Sequence, residues 1–361
     1  MTIDVRIIDT KIHPWSDARG ASCLVLFKYY GPSPGASTQK FGDQPVIEAH
    51  SLTKRYGSKT AVDSVSFVVR PGLVTGFLGP NGAGKSTTMR MIVGLDRPTG
   101  GSVTVNGKAY KDHHAPLHEV GVLLDAKAVH QGRSAYNHLL ALGATHGIGA
   151  TRVREVIEMT GLDTVAKKRV GGFSLGMGQR LGIAAAMLGD PSTLILDEPV
   201  NGLDPEGVMW VRELVRFLAS EGRTVLLSSH LMSEMALTAD HIIVLGKGRV
   251  LADAPVAEMI SSSTVSSVRA VSPQAGEIAR LLTSNDVTIT SVDGQTLQIV
   301  GLTAAAVGEA AAAAGIVLHE LTPLKGSLED AYVNLTVDSV EYRTHPSALA
   351  AAALTDSEVS R

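Results

Sequence analysis

Gly79-Pro80-Asn81-Gly82-Ala83-Gly84-Lys85-Ser86 is the stretch that decides the fold, because it matches the phosphate-loop pattern G-x-x-x-x-G-K-[ST] at every fixed position. Residues 73–78 before it predict a short buried strand, and residues 86–93 after it predict a helix. A glycine-rich turn could match this pattern by chance. The strand, the helix and an acidic segment further along the chain make that alternative weak.

The residue types of this loop suit a polyphosphate. Glycines let backbone N–H groups converge on phosphate oxygens, and the helix that follows adds the positive end of its dipole. We expect Lys85 to reach the β- and γ-phosphates and the Ser86 hydroxyl to bind Mg²⁺. The predicted nucleotide contacts in this stretch are Gly79, Pro80, Asn81, Gly82, Ala83, Gly84, Lys85, Ser86 and Thr87.

Composition excludes several classes of function. The chain has 361 residues, and its net charge of −3 comes from 32 Lys+Arg against 35 Asp+Glu. Such a balance disfavours general nucleic-acid binding and a polybasic membrane surface. Cys23 is alone and cannot form an intramolecular disulfide, which favours a reducing cytosol. We find no apolar run of about 18–20 residues, so we expect any membrane role to depend on a partner.

Changes in composition and in the predicted secondary-structure pattern divide the chain into four parts. Residues 1–44 are turn-rich, with one possible strand at 21–30, and predict a disordered extension or an over-long translation start. Residues 45–260 alternate strand and helix signals, which predicts an α/β domain with a parallel sheet covered on both faces. Residues 261–337 predict a small α+β domain of ferredoxin-like βαββαβ order. Residues 338–361 predict a loose tail, with a helical turn possible at 349–354.

Within 45–260 we expect three kinds of local structure. A small antiparallel sheet is predicted from strands at 46–49, 62–69 and 102–105, with a hairpin turn at Asn106-Gly107. A mainly helical region is predicted over 108–185. Buried strands are predicted at 193–196, 223–228 and 241–245, and an amphipathic helix at 206–220. In the C-terminal domain the last strand is predicted at 317–321.

Polar residues follow two of these buried strands. Asp197 and Glu198 follow one strand, and His230 follows another. Because the carboxyl ends of parallel strands share one edge, we expect these side chains to lie near the phosphate loop. There Asp197 would hold Mg²⁺, Glu198 would orient or deprotonate a water, and His230 would hydrogen-bond the γ-phosphate. Ser174 precedes a predicted helix and could cap it, which taken alone marks only a helix start.

These motifs together resemble those of an ATP-binding cassette (ABC) ATPase over roughly 45–255. The resemblance implies a P-loop NTPase fold: a RecA-like parallel core with an antiparallel β subdomain and a helical subdomain. Ser174-Leu175-Gly176-Met177 lies where the family has its LSGGQ signature. By resemblance, Tyr56 stacks on adenine, Ser174 and Gly176 contact the γ-phosphate bound to the opposite subunit, and Asp204 couples the two sites. A homodimer burying two ATP molecules is therefore implied.

Two departures from the family pattern stand out. Leu175 and Met177 replace a glycine and the glutamine of the signature, a form similar to that of drug-export and bacitracin-resistance-like members. Asp125 occupies the position where the family usually has a glutamine. It could bind Mg²⁺ or a water, or it could face solvent while the loop works through its backbone. Residues 327–332, Ser-Leu-Glu-Asp-Ala-Tyr, resemble the close of daunorubicin-resistance-type exporter ATPases.

Three functions remain in competition at this point. The resemblance favours an exporter ATPase that binds ATP and Mg²⁺, dimerises, and drives a separate integral membrane permease at the cytoplasmic face of the membrane. Its expected cargo is a drug, antibiotic or other small hydrophobic molecule. A mechanical ATPase acting on ribosomes or DNA is the alternative, disfavoured by the single phosphate loop and the net charge. A nucleotide sensor without turnover is the third, disfavoured by Lys85 and Glu198.

Overall fold

The computed structural model describes residues 44–126, 128–263, 267–284, 287–324 and 326–336. The possible strand at 21–30, the extension up to residue 43 and the predicted tail lie outside the described residues. Residues 44–263 form the N-terminal region, and residues 267–324 form the accessory region. In the described parts of the chain, no helix combines the length and the apolar character needed to cross a membrane.

Thirteen strands and eleven α-helices are described. The strands are β1 (Ile47–Tyr56), β2 (Lys59–Val69), β3 (Val74–Leu78), β4 (Gly100–Val105), β5 (Val120–Leu123), β6 (Thr193–Leu196), β7 (Thr224–Ser229), β8 (His241–Gly246), β9 (Arg249–Pro255), β10 (Ser267–Val271), β11 (Thr288–Ser291), β12 (Thr296–Val300) and β13 (Glu320–Leu324). The helices are α1 (Lys85–Ile92), α2 (Pro116–Glu119), α3 (Ala135–Ala144), α4 (Ala150–Met159), α5 (Leu175–Met187), α6 (Pro205–Ser220), α7 (Met232–Thr238), α8 (Val256–Ser263), α9 (Ala275–Leu282), α10 (Ala304–Ala313) and α11 (Leu328–Thr336).

A six-stranded sheet of order β5-β6-β7-β3-β8-β9 forms the centre of the N-terminal region. Its strands are parallel except β9, which pairs antiparallel with β8. Every residue of β3, β6 and β7 is buried, as expected for short apolar strands with helices on both faces. The predicted parallel sheet is confirmed, and it brings the ends of β3, β6 and β7 to one edge.

Strand β5 corrects the prediction of a mainly helical region over 108–185. Its four residues pair in parallel with β6 at the margin of the central sheet. Helix α5 approaches this strand so closely that a Cβ on Gly121 would lie 2.1 Å from the Ala186 carbonyl oxygen. A short apolar run containing glycine therefore forms a strand here because it packs beneath a helix, a tertiary cause that local pattern does not reveal.

The second sheet of the N-terminal region has the order β2-β1-β4 and is antiparallel, as predicted. Its strands β1 and β2 extend well beyond the predicted bounds, because their outer ends run past the core as an exposed hairpin. Asn106 and Gly107 both adopt positive φ, 51° and 74°, and Val105 pairs with Lys108 across them. The predicted turn is confirmed.

The accessory region contains a third, antiparallel sheet of order β11-β12-β10-β13, with α9 and α10 packed against it. The predicted βαββαβ order is observed. The last strand is Glu320–Leu324 rather than 317–321. Residues 316–319 instead join α10 to the sheet: Ile316 is buried in the core, and the Val317 carbonyl accepts a hydrogen bond from Ser272.

Helix α11 was not predicted and carries most of the Ser-Leu-Glu-Asp-Ala-Tyr segment. Ser327 and Asp330 bond each other at its start: the Asp330 N–H donates to Ser327 Oγ (3.1 Å), and the Ser327 N–H donates to Asp330 Oδ2 (3.1 Å). Leu328, Ala331 and Tyr332 pack in the same core cluster as α7 and α8. The predicted domain 261–337 thus ends in a helix that packs on the N-terminal region.

Candidate active site

The phosphate loop connects β3 to α1, with glycines where no side chain would fit. A Cβ on Gly79 would lie 2.4 Å from the Leu245 carbonyl oxygen, and one on Gly84 would lie 2.8 Å from that of Ala61. Gly84 also has a φ of 105°, in the region that favours glycine. The loop is therefore pressed against β8 and β2 while its backbone faces a cleft.

Lys85 begins α1 and is only 6% exposed. Its Nζ donates a hydrogen bond to the Gly79 carbonyl oxygen (2.7 Å) and lies 3.9 Å from Glu198 Oε1. Desolvation lowers the pKa of Lys85, and the charges of Glu198 and Asp197 oppose that shift. A polyanion bound beside Lys85 would stabilise its charged form, because the negative charge offsets the cost of desolvating the ammonium.

Glu198 stands at the end of β6 and makes close polar contacts. His230 Nδ1 lies 2.8 Å from Glu198 Oε2, so a residue 32 positions further along the chain is placed on the same carboxylate. Gln179 of α5 donates to the Glu198 carbonyl oxygen (2.7 Å). Glu198 has a φ of 49°, a conformation that costs on the order of 1–3 kcal/mol in a non-glycine residue. The contacts with His230 and Lys85 orient the Glu198 side chain, and its backbone conformation is strained.

Asp197 is tied to the same strand ends through Ser228. The Ser228 hydroxyl donates to Asp197 Oδ1 (2.5 Å) and accepts from the Glu198 N–H (3.0 Å). One hydroxyl on β7 therefore hydrogen-bonds both carboxylate residues that follow β6. The predicted convergence of Lys85, Asp197, Glu198 and His230 is present in the structure.

A cleft of ≈ 880 Å³ opens beside these residues. Its lining comprises Tyr56, Lys59, Thr60, Ala61, Pro80, Asn81, Gly82, Ala83, Gly84, Lys85, Ser86, Thr87, Glu198 and Lys247. Its size suits a nucleotide.

Tyr56 is a half-exposed aromatic of this lining. Its hydroxyl donates to Asp96 Oδ2 (2.9 Å), and Lys54 Nζ lies 5.0 Å from the ring centroid. Desolvation and the Asp96 hydrogen bond raise the pKa of this hydroxyl. The tyrosine is thus anchored at its polar end, with its ring exposed at the cleft.

Seven predicted site residues are absent from the described lining of this cleft. Three of them are chain neighbours or hydrogen-bond partners of lining residues, namely Gly79, Asp197 and His230, and the other four are Ser174, Gly176, Asp204 and Asp125. Ser174 caps α5 by accepting from the Met177 N–H (3.2 Å), which confirms the predicted helix cap. Asp204 caps α6 by accepting from the Gly207 N–H (2.9 Å). A Cβ on Gly176 would lie 3.3 Å from the Gly202 carbonyl oxygen, so the start of α5 packs on the loop that holds Asp204. Asp125 is exposed, and its role at a metal stays a prediction.

Sequence reasoning missed several residues that the fold places here: Lys59, Thr60, Ala61 and Lys247 in the cleft lining, and Gln179 and Ser228 behind the carboxylates. Lys247 had a usable signal, because Gly246-Lys247-Gly248 follows a predicted strand and is a typical hairpin turn. Gln179 and Ser228 had none, because their contacts depend on which elements become neighbours.

Comparison with known proteins gives the family. The family model for ABC transporters matches residues 62–201, and a model for a domain of unknown function (DUF8746) matches residues 266–329. A Bacillus subtilis (strain 168) relative, the uncharacterized ABC transporter ATP-binding protein YhcH, is 35% identical over 83% of this chain and 99% of its own length. The chain belongs to the ABC transporter ATP-binding proteins.

Further relatives agree with this assignment. The bacitracin transport ATP-binding protein BcrA of Bacillus licheniformis is 42% identical over 58% of this chain and 70% of its own. The lantibiotic transport ATP-binding protein SrtF of Streptococcus pyogenes is 35% identical over 57% of this chain and 89% of its own. A solved ATP-binding subunit of an ABC transporter matches at a TM-score of 0.55 and 26% identity, covering 60% of this chain and 92% of that one.

The family fixes the coarse activity of this ABC protein. The P-loop NTPase fold predicted for the N-terminal region is confirmed, and the protein is an ATP-binding ATPase. The resemblance to bacitracin-resistance-like transport ATPases is confirmed as well. The ribosome or DNA alternative gains no support from these relatives.

Proposed function

We propose that this chain is the ATP-hydrolysing subunit of an exporter whose membrane permease is a separate chain. One observation carries the ATPase chemistry: Lys85 and Glu198 line one cleft, and His230, from a third distant segment, contacts the Glu198 carboxylate. The relatives named for bacitracin and lantibiotic transport support an antibiotic or other small hydrophobic molecule as the cargo. Residence at the cytoplasmic face of the membrane, through the permease, follows from this proposal.

Glu198 and His230 divide the hydrolytic work in this proposal. Glu198 accepts a proton from the attacking water or orients it, because its carboxylate is held beside Lys85. His230 holds the second carboxylate oxygen, which fixes the direction of the first. Lys85 offsets negative charge on the terminal phosphates of ATP. Positioning and charge therefore account for catalysis without a covalent enzyme intermediate.

The donor set at the loop fits Mg²⁺, which prefers oxygen ligands and binds through one or two carboxylates together with substrate phosphates. Ser86 offers a hydroxyl at the cleft, and Asp197 offers a carboxylate at the end of β6. Among the described residues no group of three or more His, Cys, Asp or Glu side chains forms a metal site by itself. We propose that Ser86 and Asp197 hold Mg²⁺, which would neutralise phosphate charge.

A homodimer is the proposed active unit. Ser174, Gly176 and Asp204 stand apart from the described lining of the chain's own cleft, and Leu175 beside them is 49% exposed. A second copy seated on this segment would remove the Leu175 side chain from water. In this arrangement the signature segment of one copy closes the cleft of the other.

Light scattering tests the dimer. Glu198→Gln with saturating ATP and Mg²⁺ should bind without turnover and give a doubled mass, because the closed dimer cannot reopen by hydrolysis. Glu258→Gln, an equally conservative change at an exposed position of α8, should behave as wild type. A monomer for Glu198→Gln under saturating nucleotide contradicts the dimer.

Co-purification tests the transport role. The tagged wild-type chain, taken from detergent-solubilised cells of its source, should carry a polytopic membrane protein in stoichiometric amount. Ribosomal proteins or DNA in its place would contradict the exporter and revive the mechanical alternative.

A further inference from the structure

Lys247 is the lysine at the tip of the β8–β9 hairpin, and the hairpin holds it firmly. The Gly248 N–H donates to the carbonyl oxygen of Ala83 in the phosphate loop (3.1 Å), and the Gly248 carbonyl accepts from the Asp63 N–H (2.8 Å). A Cβ on Gly248 would lie 2.8 Å from the Ala61 carbonyl oxygen. The tip is therefore wedged between the phosphate loop and β2.

An ion pair reinforces this attachment. Arg249 Nε and Nη2 both donate to Asp63 Oδ2, at 2.9 and 2.7 Å. Lys247 itself has a φ of 48°, as the first residue of a tight two-residue turn requires. The backbone of Lys247 thus keeps a fixed distance from the loop that cradles phosphate.

Charge in the cleft has one dominant sign. Among the described lining residues, Lys59, Lys85 and Lys247 are cationic, and Glu198 is the anionic member. Lys59 pairs across the β1–β2 hairpin with Tyr56, the adenine candidate. A polyanion laid between Tyr56 and Lys85 therefore lies in a positive field that Lys85 alone does not supply.

The sheet order places Lys247 and Glu198 on opposite sides of the phosphate loop. Strand β3 leads into the loop, with β7 and β6 on one side and β8 and β9 on the other. Glu198 lies two residues beyond the end of β6, whereas Lys247 lies in the turn of the β8–β9 hairpin. A group across the loop from the catalytic carboxylate is placed to bind the nucleotide before and after the bond is cut.

We propose that Lys247 is a nucleotide-binding residue of this ATPase, which contacts phosphate in both the ATP and the ADP states. This inference rests on the nucleotide cleft described above and assigns to the hairpin a task that the motifs leave unassigned. Because the contact is made equally before and after hydrolysis, it tightens binding without speeding turnover.

Calorimetric titration with MgADP and steady-state ATPase kinetics test the proposal. Lys247→Met should weaken MgADP binding about fivefold and raise KM for ATP by a similar factor, with kcat unchanged. Lys247→Arg should restore most of the affinity. Added salt should shrink the difference between Lys247→Met and wild type, because the lost contact is ionic and exposed to solvent.

Two further variants keep the test decisive. Lys108→Met removes an exposed lysine next to Gly107 in another tight turn, outside the described lining of the cleft, and should leave binding unchanged. Lys85→Ala should abolish binding if the cleft is the nucleotide site. If Lys85→Ala abolishes binding while Lys247→Met stays within twofold of wild type, the assignment of Lys247 is wrong and the site stands. If Lys85→Ala also binds normally, the site itself is wrong.

Discussion

The N-terminal and accessory regions use their sheets in opposite ways. In the central sheet, β3, β6 and β7 are parallel and wholly buried, and their ends bring Lys85, Glu198 and His230 together. The accessory sheet is antiparallel, with helices packed on it and with alternate residues such as Arg269 and Gln298 exposed. The difference teaches that a catalytic cluster arises where strand ends from distant segments share one edge.

The two regions are nevertheless joined by more than a linker. Helices α8 and α11 flank the accessory region in the chain and pack on each other. Helix α11 also packs on α7, which follows His230. The helices that precede and follow the accessory region in the chain therefore both pack with the N-terminal region.

The largest expected effect is a loss of kcat that follows a histidine substitution in the N-terminal region but not one in the accessory region. His230→Ala should lower kcat about a hundredfold to a thousandfold, because Glu198 loses the partner at 2.8 Å that directs its carboxylate. Binding of MgADP, measured by calorimetry, should stay within twofold of wild type. The same change at exposed His319 of the accessory region should leave kcat untouched. Equal turnover in His230→Ala and wild type would remove His230 from the site.

Helix α11 follows the accessory region in the chain, but we expect it to contribute to the stability of the N-terminal region. Tyr332 of α11 is 7% exposed in the N-terminal core, and Ile299 is fully buried in the accessory core. Each change to alanine should cost about 3 kcal/mol of local stability.

Only one of these two changes should lower the temperature at which ATPase activity is lost. Tyr332→Ala should lower the temperature of ATPase inactivation by on the order of 5–10 °C, and Ile299→Ala should leave it unchanged. Thermal unfolding and residual-activity curves check both. Equal inactivation of the two variants would show that the regions unfold as one.

Removing the N-cap of α11 or of α10 should give the same contrast between the two regions, with smaller losses of stability. Ser327 caps α11, and Thr303 caps α10 by accepting from the Ala306 N–H (3.2 Å). Each change to alanine should cost about 1 kcal/mol. Ser327→Ala should shift the ATPase inactivation temperature, whereas Thr303→Ala should shift only the unfolding of the accessory region. A shift from Thr303→Ala of the same size would contradict the division.

The smallest expected effect is proton uptake. Desolvation lowers the pKa of Lys85 in the free protein, and a bound polyphosphate raises it, so MgADP binding should take up a fraction of a proton as pH approaches the lowered value. By linkage, affinity should then fall as pH rises from the lowered Lys85 pKa of the free protein towards the higher Lys85 pKa of the complex. Calorimetry in buffers of different ionisation enthalpy measures this uptake. Lys85→Arg, which stays charged, should show none, and equal uptake in that variant would contradict the assignment.

Local patterns predicted the parts of this site that depend on chain neighbours. The phosphate loop, the strand before Asp197 and the cap at Ser174 are written in consecutive residues. The rule that parallel strands share an edge added Glu198 and His230.

Residues whose role depends on distant packing escaped prediction. Ser228 became the link between two carboxylates because β7 lies beside β6, and Lys247 reached the cleft because its hairpin rests on Ala83. Helix α11 had a readable capping pair, but its packing on α7 and α8 is a tertiary choice.

Steady-state ATP hydrolysis by Glu198→Gln beside wild type tests the central claim most directly. The account predicts at least a hundredfold lower kcat with ATP still bound, because the amide cannot accept the proton of the attacking water. Equal rates in the two proteins would contradict it.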